Sequence, residues 1–160
     1  GTARSLGLEA GEGKDINGRY LVEISRTLGQ WLLDPPNVAG WPGYRIWIST
    51  STLPERHKMT DEMVDNKPRR AAGTDFVHKQ PDLIRFIKDF PEPFDAVKLV
   101  RGMAECLMPF TVDQSREQLF LSTLLQGAEV YDWDPDDPNA VSRVASLVKL
   151  MFELPDYQLT

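Results

Sequence analysis

The sequence predicts an all-α protein, an irregular bundle of about five to six helices with a long loop rich in proline, glycine and tryptophan and a second, polar loop. Apolar residues recur at helical spacing in several separate segments. Strand-like alternation occurs only at residues 44–48, which are too few to make a sheet by themselves. Prolines, glycines and short polar residues lie between the helical segments and mark their ends.

The first predicted helix follows a polar start and precedes a double proline. One face of it carries Leu21, Ile24, Leu28, Trp31 and Leu32. Asp15 or Asn17 is positioned to cap it. The helix must end before Asp34, because Pro35 and Pro36 disfavour helical backbone before them and have no N–H to donate. An irregular loop is expected next.

A second helix is predicted to begin after a run of hydroxyl side chains. Ser49, Thr50 and Ser51 offer N-cap oxygens, and Pro54 is compatible with the helix only in its first turn. Its apolar residues are Leu53, Met59 and Met63. Residues 65–81 are polar and rich in helix breakers, so we expect an extended or mobile connection at the surface.

The C-terminal half predicts four helices. Their apolar residues are Leu83, Phe86, Ile87 and Phe90; Val97, Val100, Ala104, Leu107 and Met108; Leu119, Phe120, Leu124 and Leu125; and Val141, Val144, Ala145, Val148, Met151 and Phe152. The breakers that end them are Pro91, Pro109, Gly127 and Pro155. Thr111 or Asp113 caps the third helix, and Asp137 caps the fourth with Pro138 at its first helical position.

Length and composition are those of one folded domain spanning residues 1–160, with 41% hydrophobic residues. The net charge of -6 disfavours binding to nucleic acid, and the one basic cluster, at residues 67–70, is expected in a solvated loop. No apolar run reaches the roughly twenty residues of a membrane span.

Residues 1–8 are similar to the end of a helix that began upstream. We therefore expect the chain to be a C-terminal fragment of a larger protein.

The acidic segment at residues 132–137 has part of the residue pattern of a calcium-binding loop. Asp132, Asp134 and Asp136 have the spacing of the first three EF-hand ligands. Asp137, however, stands where that loop requires glycine, and Arg143 stands where it requires a bidentate glutamate. An EF-hand is therefore excluded, and the acids are expected to favour the start of a helix. We expect no metal site and no cofactor, and a calcium site looser than an EF-hand is the alternative.

Other reactive residue types are isolated in the sequence. His57 and His78 have no partner at a metal-binding or catalytic spacing and are expected at the surface. Cys106, the only cysteine, borders the apolar face of its predicted helix, so we expect a buried, inert thiol. No catalytic constellation follows from these residues.

The Trp/Tyr-rich corner at residues 34–47 is the candidate ligand site. Trp41, Tyr44 and Trp47 could present ring faces to a carbohydrate or other ligand. Hydrogen bonds would then come from Asp34, Asn37 and Arg45. The favoured interpretation is structural, because proline and glycine already predict a rigid corner that buried indoles would hold against the neighbouring helices.

This corner also carries a resemblance to a known family. Gly29-Gln30, residues 35–43 (Pro-Pro-Asn-Val-Ala-Gly-Trp-Pro-Gly), Trp47, Ser51-Thr52-Leu53 and Arg56 resemble the signature of the domain of unknown function 1800 family. Residues 4–8 and 154–159 are similar to its flanking segments. Two departures are Pro54, where the family continues its helix, and residues 65–81, which look like an insertion.

The resemblance implies a large, mostly helical bacterial protein, commonly exported, without an established activity or catalytic residues. Our leading hypothesis is a non-catalytic structural and interaction region whose partner is the rest of its own chain or another protein. Two alternatives stay open: ligand recognition at the Trp/Tyr-rich corner, and a part of a hydrolase whose reactive residues lie upstream.

Overall fold

The computed structural model describes residues 18–31, 34–35, 37–40, 48–65 and 81–158. Throughout that part the chain is helical and has no strand, so the all-α prediction is confirmed. The helices are α1 (Gly18–Thr27), α2 (Thr52–Asp65), α3 (Leu83–Lys88), α4 (Ala96–Leu107), α5 (Gln114–Leu125), α6 (Ala140–Glu153) and α7 (Pro155–Gln158), with a 3-10 helix at Val130–Asp132. The chain forms two compact units, the first ending at Pro81 and the second comprising Asp82–Gln158.

Helix α1 ends earlier than its apolar periodicity predicts. Gly29 adopts the left-handed conformation, with a φ of 69°. Its N–H donates to the carbonyl of Arg26 at 3.0 Å, and the N–H of Gln30 donates to that of Ser25 at 2.7 Å. These two bonds define a Schellman motif, which satisfies the last carbonyls of the helix. Trp31 therefore lies beyond α1, and the predicted continuation of the helix to residue 32 is wrong.

Helix α2 begins with a reciprocal pair of hydroxyl bonds. The Oγ of Ser49 accepts from the N–H of Thr52 at 3.1 Å, while the Oγ1 of Thr52 accepts from the N–H of Ser49 at 2.9 Å. This is a capping box in which threonine replaces the usual glutamate. Pro54 lies in the first turn, as predicted. The predicted caps of α1, Asp15 and Asn17, lie outside the described residues.

The second unit is a small bundle in which most helices pack on the next helix along the chain. Helix α4 packs on α5, α5 on α6, and α6 on α7, while α3 packs on α6. Fully buried side chains of its core include Ile87, Leu99, Val100, Met103, Phe120, Leu124, Val144, Leu147, Met151 and Phe152. Burial of these apolar surfaces is the main stabilising contribution to the unit.

Aspartates start three helices of this unit. The carboxylates of Asp82, Asp95 and Asp113 accept hydrogen bonds from backbone N–H groups in the first turns of α3, α4 and α5. Asp113 was one of two predicted caps for its helix. Gln126 and Gly127 have positive φ values of 51° and 91°, so α5 ends next to the predicted glycine.

The start and the exposed side of α6 differ from the predictions. Asn139, and not Asp137, is the N-cap residue, and it makes no side-chain cap bond. The carboxylate of Asp137 nevertheless accepts from the N–H of Asn139 at 2.6 Å, because a turn at Pro138 precedes the α-helix. Val141, predicted on the apolar face, is 42% exposed, whereas Leu147 is fully buried.

Candidate functional site

The described part of the Trp/Tyr-rich corner is a tight turn. The side-chain oxygen of Asn37 accepts from the N–H of Ala39 at 2.8 Å, and its carbonyl accepts from the N–H of Gly40 at 3.0 Å. Gly40 has a φ of 88°, which a residue with a side chain rarely adopts. Asn37 therefore shapes the backbone of this loop, as asparagine commonly does at the first position of a turn.

The other predicted ligand-binding residues are only partly described. Asp34 is exposed, and its N–H donates to the carbonyl of Trp31 at 3.1 Å. The guanidinium carbon of Arg26 lies 3.7 Å from the centroid of the Trp31 ring, a cation–π contact. Outside the described residues lie Trp41, Tyr44, Arg45 and Trp47.

His57, which lies in α2, is less exposed than the sequence predicts. Its side chain is half-buried, and its Nε2 is buried without a hydrogen bond. The neighbouring Arg56 is also partly buried, and this burial lowers the pKa of its guanidinium below the ordinary value. His78 lies outside the described residues.

A cleft of about 500 Å³ follows α4 and α5 in the second unit. Its lining residues are Arg101, Ala104, Glu105, Met108, Pro109, Phe110, Thr111, Val112 and Glu117. Arg101 Nη2 lies 2.7 Å from Glu117 Oε1. Because this pair neutralises the guanidinium, the cleft combines apolar side chains with one paired charge and the exposed carboxylate of Glu105.

The chain after this cleft is fixed by Arg116. Its Nη2 donates to Asp156 Oδ2 at 2.6 Å, and its guanidinium carbon lies 5.2 Å from the centroid of the Phe110 ring. These contacts connect α5 to α7 and to the segment before α5. No sequence pattern indicates the pairing of Arg101 or Arg116, because the partners are separated by 16 and 40 positions.

A second cleft of about 500 Å³ lies where the segment after α3 meets α4. Cys106 lines it and is exposed, so the prediction of a buried thiol is wrong. Phe90 packs over Gly102 on the same helix, with its Cδ1 only 3.0 Å from the position that a Cβ at residue 102 would occupy. The glycine thus allows the aromatic ring to approach the helix backbone closely.

The acidic segment at residues 132–137 has separate partners for its carboxylates. Asp134 Oδ1 accepts from the N–H of Asp136 at 2.8 Å, and Asp136 forms an ion pair with Lys88. Asp137 accepts from the N–H of Asn139. In the part of the chain that the structure describes, no group of three or more His, Cys, Asp or Glu residues is arranged to hold a metal ion.

The exposed aromatic side chains of the second unit were not singled out by the sequence. Phe94 is 60% exposed and Tyr131 is 82% exposed. The indole Nε1 of the buried Trp133 donates to the carbonyl of Pro93 at 2.9 Å, which joins the segments that carry these two rings. In the sequence, the exposure of Phe94 and Tyr131 is indicated by their position in polar segments rich in helix breakers, close to Glu92 and Asp132.

The fold and these surfaces define an all-helical protein whose described polar side chains mainly cap helices and pair with one another. None of the described helices has the length and apolar character needed to cross a membrane. The chain belongs to the family described as Protein of unknown function (DUF1800), whose model matches residues 1–159. No curated protein and no solved structure matches the chain.

Proposed function

We propose that this chain is a non-catalytic helical region of an exported bacterial protein, which contributes to that protein's core and contacts another protein. The observation that carries the proposal is the use of its ionisable side chains. Asp82, Asp95 and Asp113 cap helices, and the guanidinium groups of Arg101 and Arg116 pair with carboxylates. Groups engaged in this way hold the fold together and are not placed to exchange protons with a substrate.

The exported and bacterial parts of the proposal are supported by the family resemblance at the Trp/Tyr-rich corner. The interaction part is supported by large apolar side chains at the surface of the second unit, among which are Phe94, Val130 and Tyr131. A cluster of exposed apolar side chains is more often an interaction site than a single exposed apolar side chain is.

Two assays test the proposal. The purified chain is offered a panel of chromogenic esters, glycosides and phosphate esters, and we expect no turnover above that of a heat-denatured sample. The non-catalytic role is refuted if the wild-type chain shows turnover, the cleft variant Arg101→Ala abolishes that turnover, and the exposed control Arg85→Ala preserves it.

The interaction role is tested by cross-linking in the source cells. We expect this to yield a protein that, once purified, forms a saturable complex with the chain. Failure to find such a protein contradicts the interaction role.

Carbohydrate recognition at the Trp/Tyr-rich corner is the second candidate. It is favoured by the exposure of Asp34 and Asn37, which leaves the carboxylate of Asp34 and the side-chain nitrogen of Asn37 accessible to a ligand, while Asn37 Oδ1 is used by the N–H of Ala39. A glycan array with the wild-type chain and with Trp41→Ala and Trp47→Ala separates the two roles. Binding that is lost in variants with unchanged melting temperatures supports recognition. Melting temperatures that fall sharply, without any glycan bound by the wild type, support a structural role.

A further inference from the structure

Three exposed side chains, which we call the Tyr131 patch, lie on two segments that are joined by a hydrogen bond: Phe94, Val130 and Tyr131, with exposed fractions of 60%, 42% and 82%. Phe94 directly precedes the cap of α4, while the other two belong to the 3-10 helix, which packs against α4. The hydrogen bond from Trp133 to the carbonyl of Pro93 connects the two segments at 2.9 Å. Each of the three residues is therefore within three positions along the chain of Pro93 or Trp133, the two partners of this hydrogen bond.

The backbone beneath the Tyr131 patch is well supported. Trp133 is only 4% exposed, so its side chain anchors the 3-10 helix in the core. Asp95 accepts from the N–H groups of Val97 and Lys98, and its own N–H donates to the carbonyl of Glu92 at 3.2 Å. The rings are therefore presented from a preformed surface, which reduces the conformational entropy lost on binding.

The charges around the patch are predominantly negative. Residues 129–137 contain five acidic residues and no basic one. Glu92 and Asp95 lie on the Phe94 side. The two lysines in this region are already engaged, Lys88 with Asp136 and Lys98 with Glu92. By contrast, none of the described cations forms an ion pair with Glu129, Asp132 or Asp134.

We propose that the Tyr131 patch binds a cationic segment of another protein, in which arginine or lysine side chains flank an apolar residue. Ring faces attract guanidinium and ammonium groups through their quadrupole, and the surrounding carboxylates attract the same groups through their charge. Val130 and the ring edges supply an apolar contact. A second copy of this chain is disfavoured because each copy carries a net charge of -6.

The proposal specifies the partner of the interaction role proposed above and rests on it. The intact chain is used to select peptides from a phage-displayed random dodecapeptide library, with counter-selection on the Phe94→Ser, Tyr131→Ser double variant. Both side chains are exposed, so the variant is expected to keep the wild-type circular dichroism and melting temperature. The selected peptides are expected to be enriched in arginine or lysine together with at least one apolar residue.

The leading peptide is then titrated against matched variants. We expect the double variant to lower its affinity at least tenfold, and Asp132→Asn to lower it severalfold with a weaker dependence on salt. The controls are Leu119→Ser, another exposed apolar residue, and Glu105→Gln, an exposed acid on α4. Both should bind like the wild type.

Neutral or acidic peptides, equal loss in patch and control variants, or no enrichment over the counter-selection would each overturn the proposal. The interaction role itself is tested separately. If the protein identified by cross-linking in cells still binds the Phe94→Ser, Tyr131→Ser variant with unchanged affinity, the role stands and the Tyr131 patch is not its site.

Discussion

Asp95 illustrates how much a single side chain contributes where a helix begins. Its Oδ1 accepts from the N–H groups of Val97 at 3.0 Å and Lys98 at 3.1 Å, two donors that have no partner within α4. We predict that Asp95→Ala lowers the free energy of unfolding by about 1 kcal/mol, the usual loss for an N-cap. Asp95→Asn keeps an accepting oxygen and should cost much less. Urea denaturation of the two variants measures the difference, and equal losses would argue against the cap.

The acidic segment leads to a second prediction at the residue scale. Asp134, Asp136 and Asp137 each use a carboxylate oxygen within the protein, two for backbone N–H groups and one for Lys88. Calcium would have to displace these contacts, and the segment lacks the bidentate ligand of an EF-hand. Millimolar calcium should therefore leave the melting temperature nearly unchanged. A rise of several degrees, reversed by chelator, would reveal a site.

Single residues could be predicted only where the reason is local. Asp113 caps α5 because a short carboxylate next to a helix start reaches its N–H groups in any fold. Cys106 and Val141 were misplaced because both lie at the border of an apolar helix face. Whether such a position is covered depends on the neighbouring helix, which the spacing within one helix does not reveal.

At the scale of the element, α1 shows that periodicity does not determine where a helix ends. Trp31 and Leu32 continue the helical phase of Ile24 and Leu28, yet Gly29 reverses the backbone before them. The signal was present, since glycine commonly occupies the position after a helix end. The double proline at residues 35–36 is a second stop signal further along the chain. In α2 the same kind of local signal, a run of hydroxyl residues, predicted the start correctly.

The contact between Phe90 and Gly102 yields a prediction about how α4 fits the segment after α3. A side chain at residue 102 would bring its Cβ to 3.0 Å from Phe90 Cδ1, closer than two carbons pack. Gly102→Val should therefore lower the free energy of unfolding by about 1 to 3 kcal/mol, as overpacking does. In the Phe90→Ala background the same substitution should cost less. Additive losses in this double-mutant cycle would show that the two residues are not coupled.

For the whole molecule, the sequence predicted the helical class and most of the helices, but it did not predict which helices meet. The packing of α3 on α6 and the clefts beside α4 depend on contacts between distant residues. The candidate ligand residues Trp41, Tyr44, Arg45 and Trp47 lie outside the described residues, so their role stays a prediction. Periodicity assigns a face to each helix and leaves its partner open.

We propose that the two compact units unfold together as one domain. In the described part of the first unit, the buried apolar side chains are Ile24, Leu28, Met63 and Val64. The chain of 160 residues has the usual length of one domain, and domains of that length commonly unfold in one cooperative transition. Hydrogen exchange in increasing urea, followed in peptides from α2 and α4, should show a common transition. Exchange of α2 at much lower urea would mean that the units unfold independently.

The order of the helices in the second unit has a kinetic consequence. Helices α4 to α7 meet their neighbours along the chain, whereas α3 must reach α6 across more than fifty residues. Closing that loop costs entropy before any contact is gained, so α3 should dock after the rate-limiting step. Ile87→Val should therefore speed unfolding and leave the refolding rate nearly unchanged, whereas Leu124→Ala in α5 should slow refolding. Stopped-flow chevrons of both variants measure this, and a refolding rate that falls for Ile87→Val would place α3 in the folding nucleus.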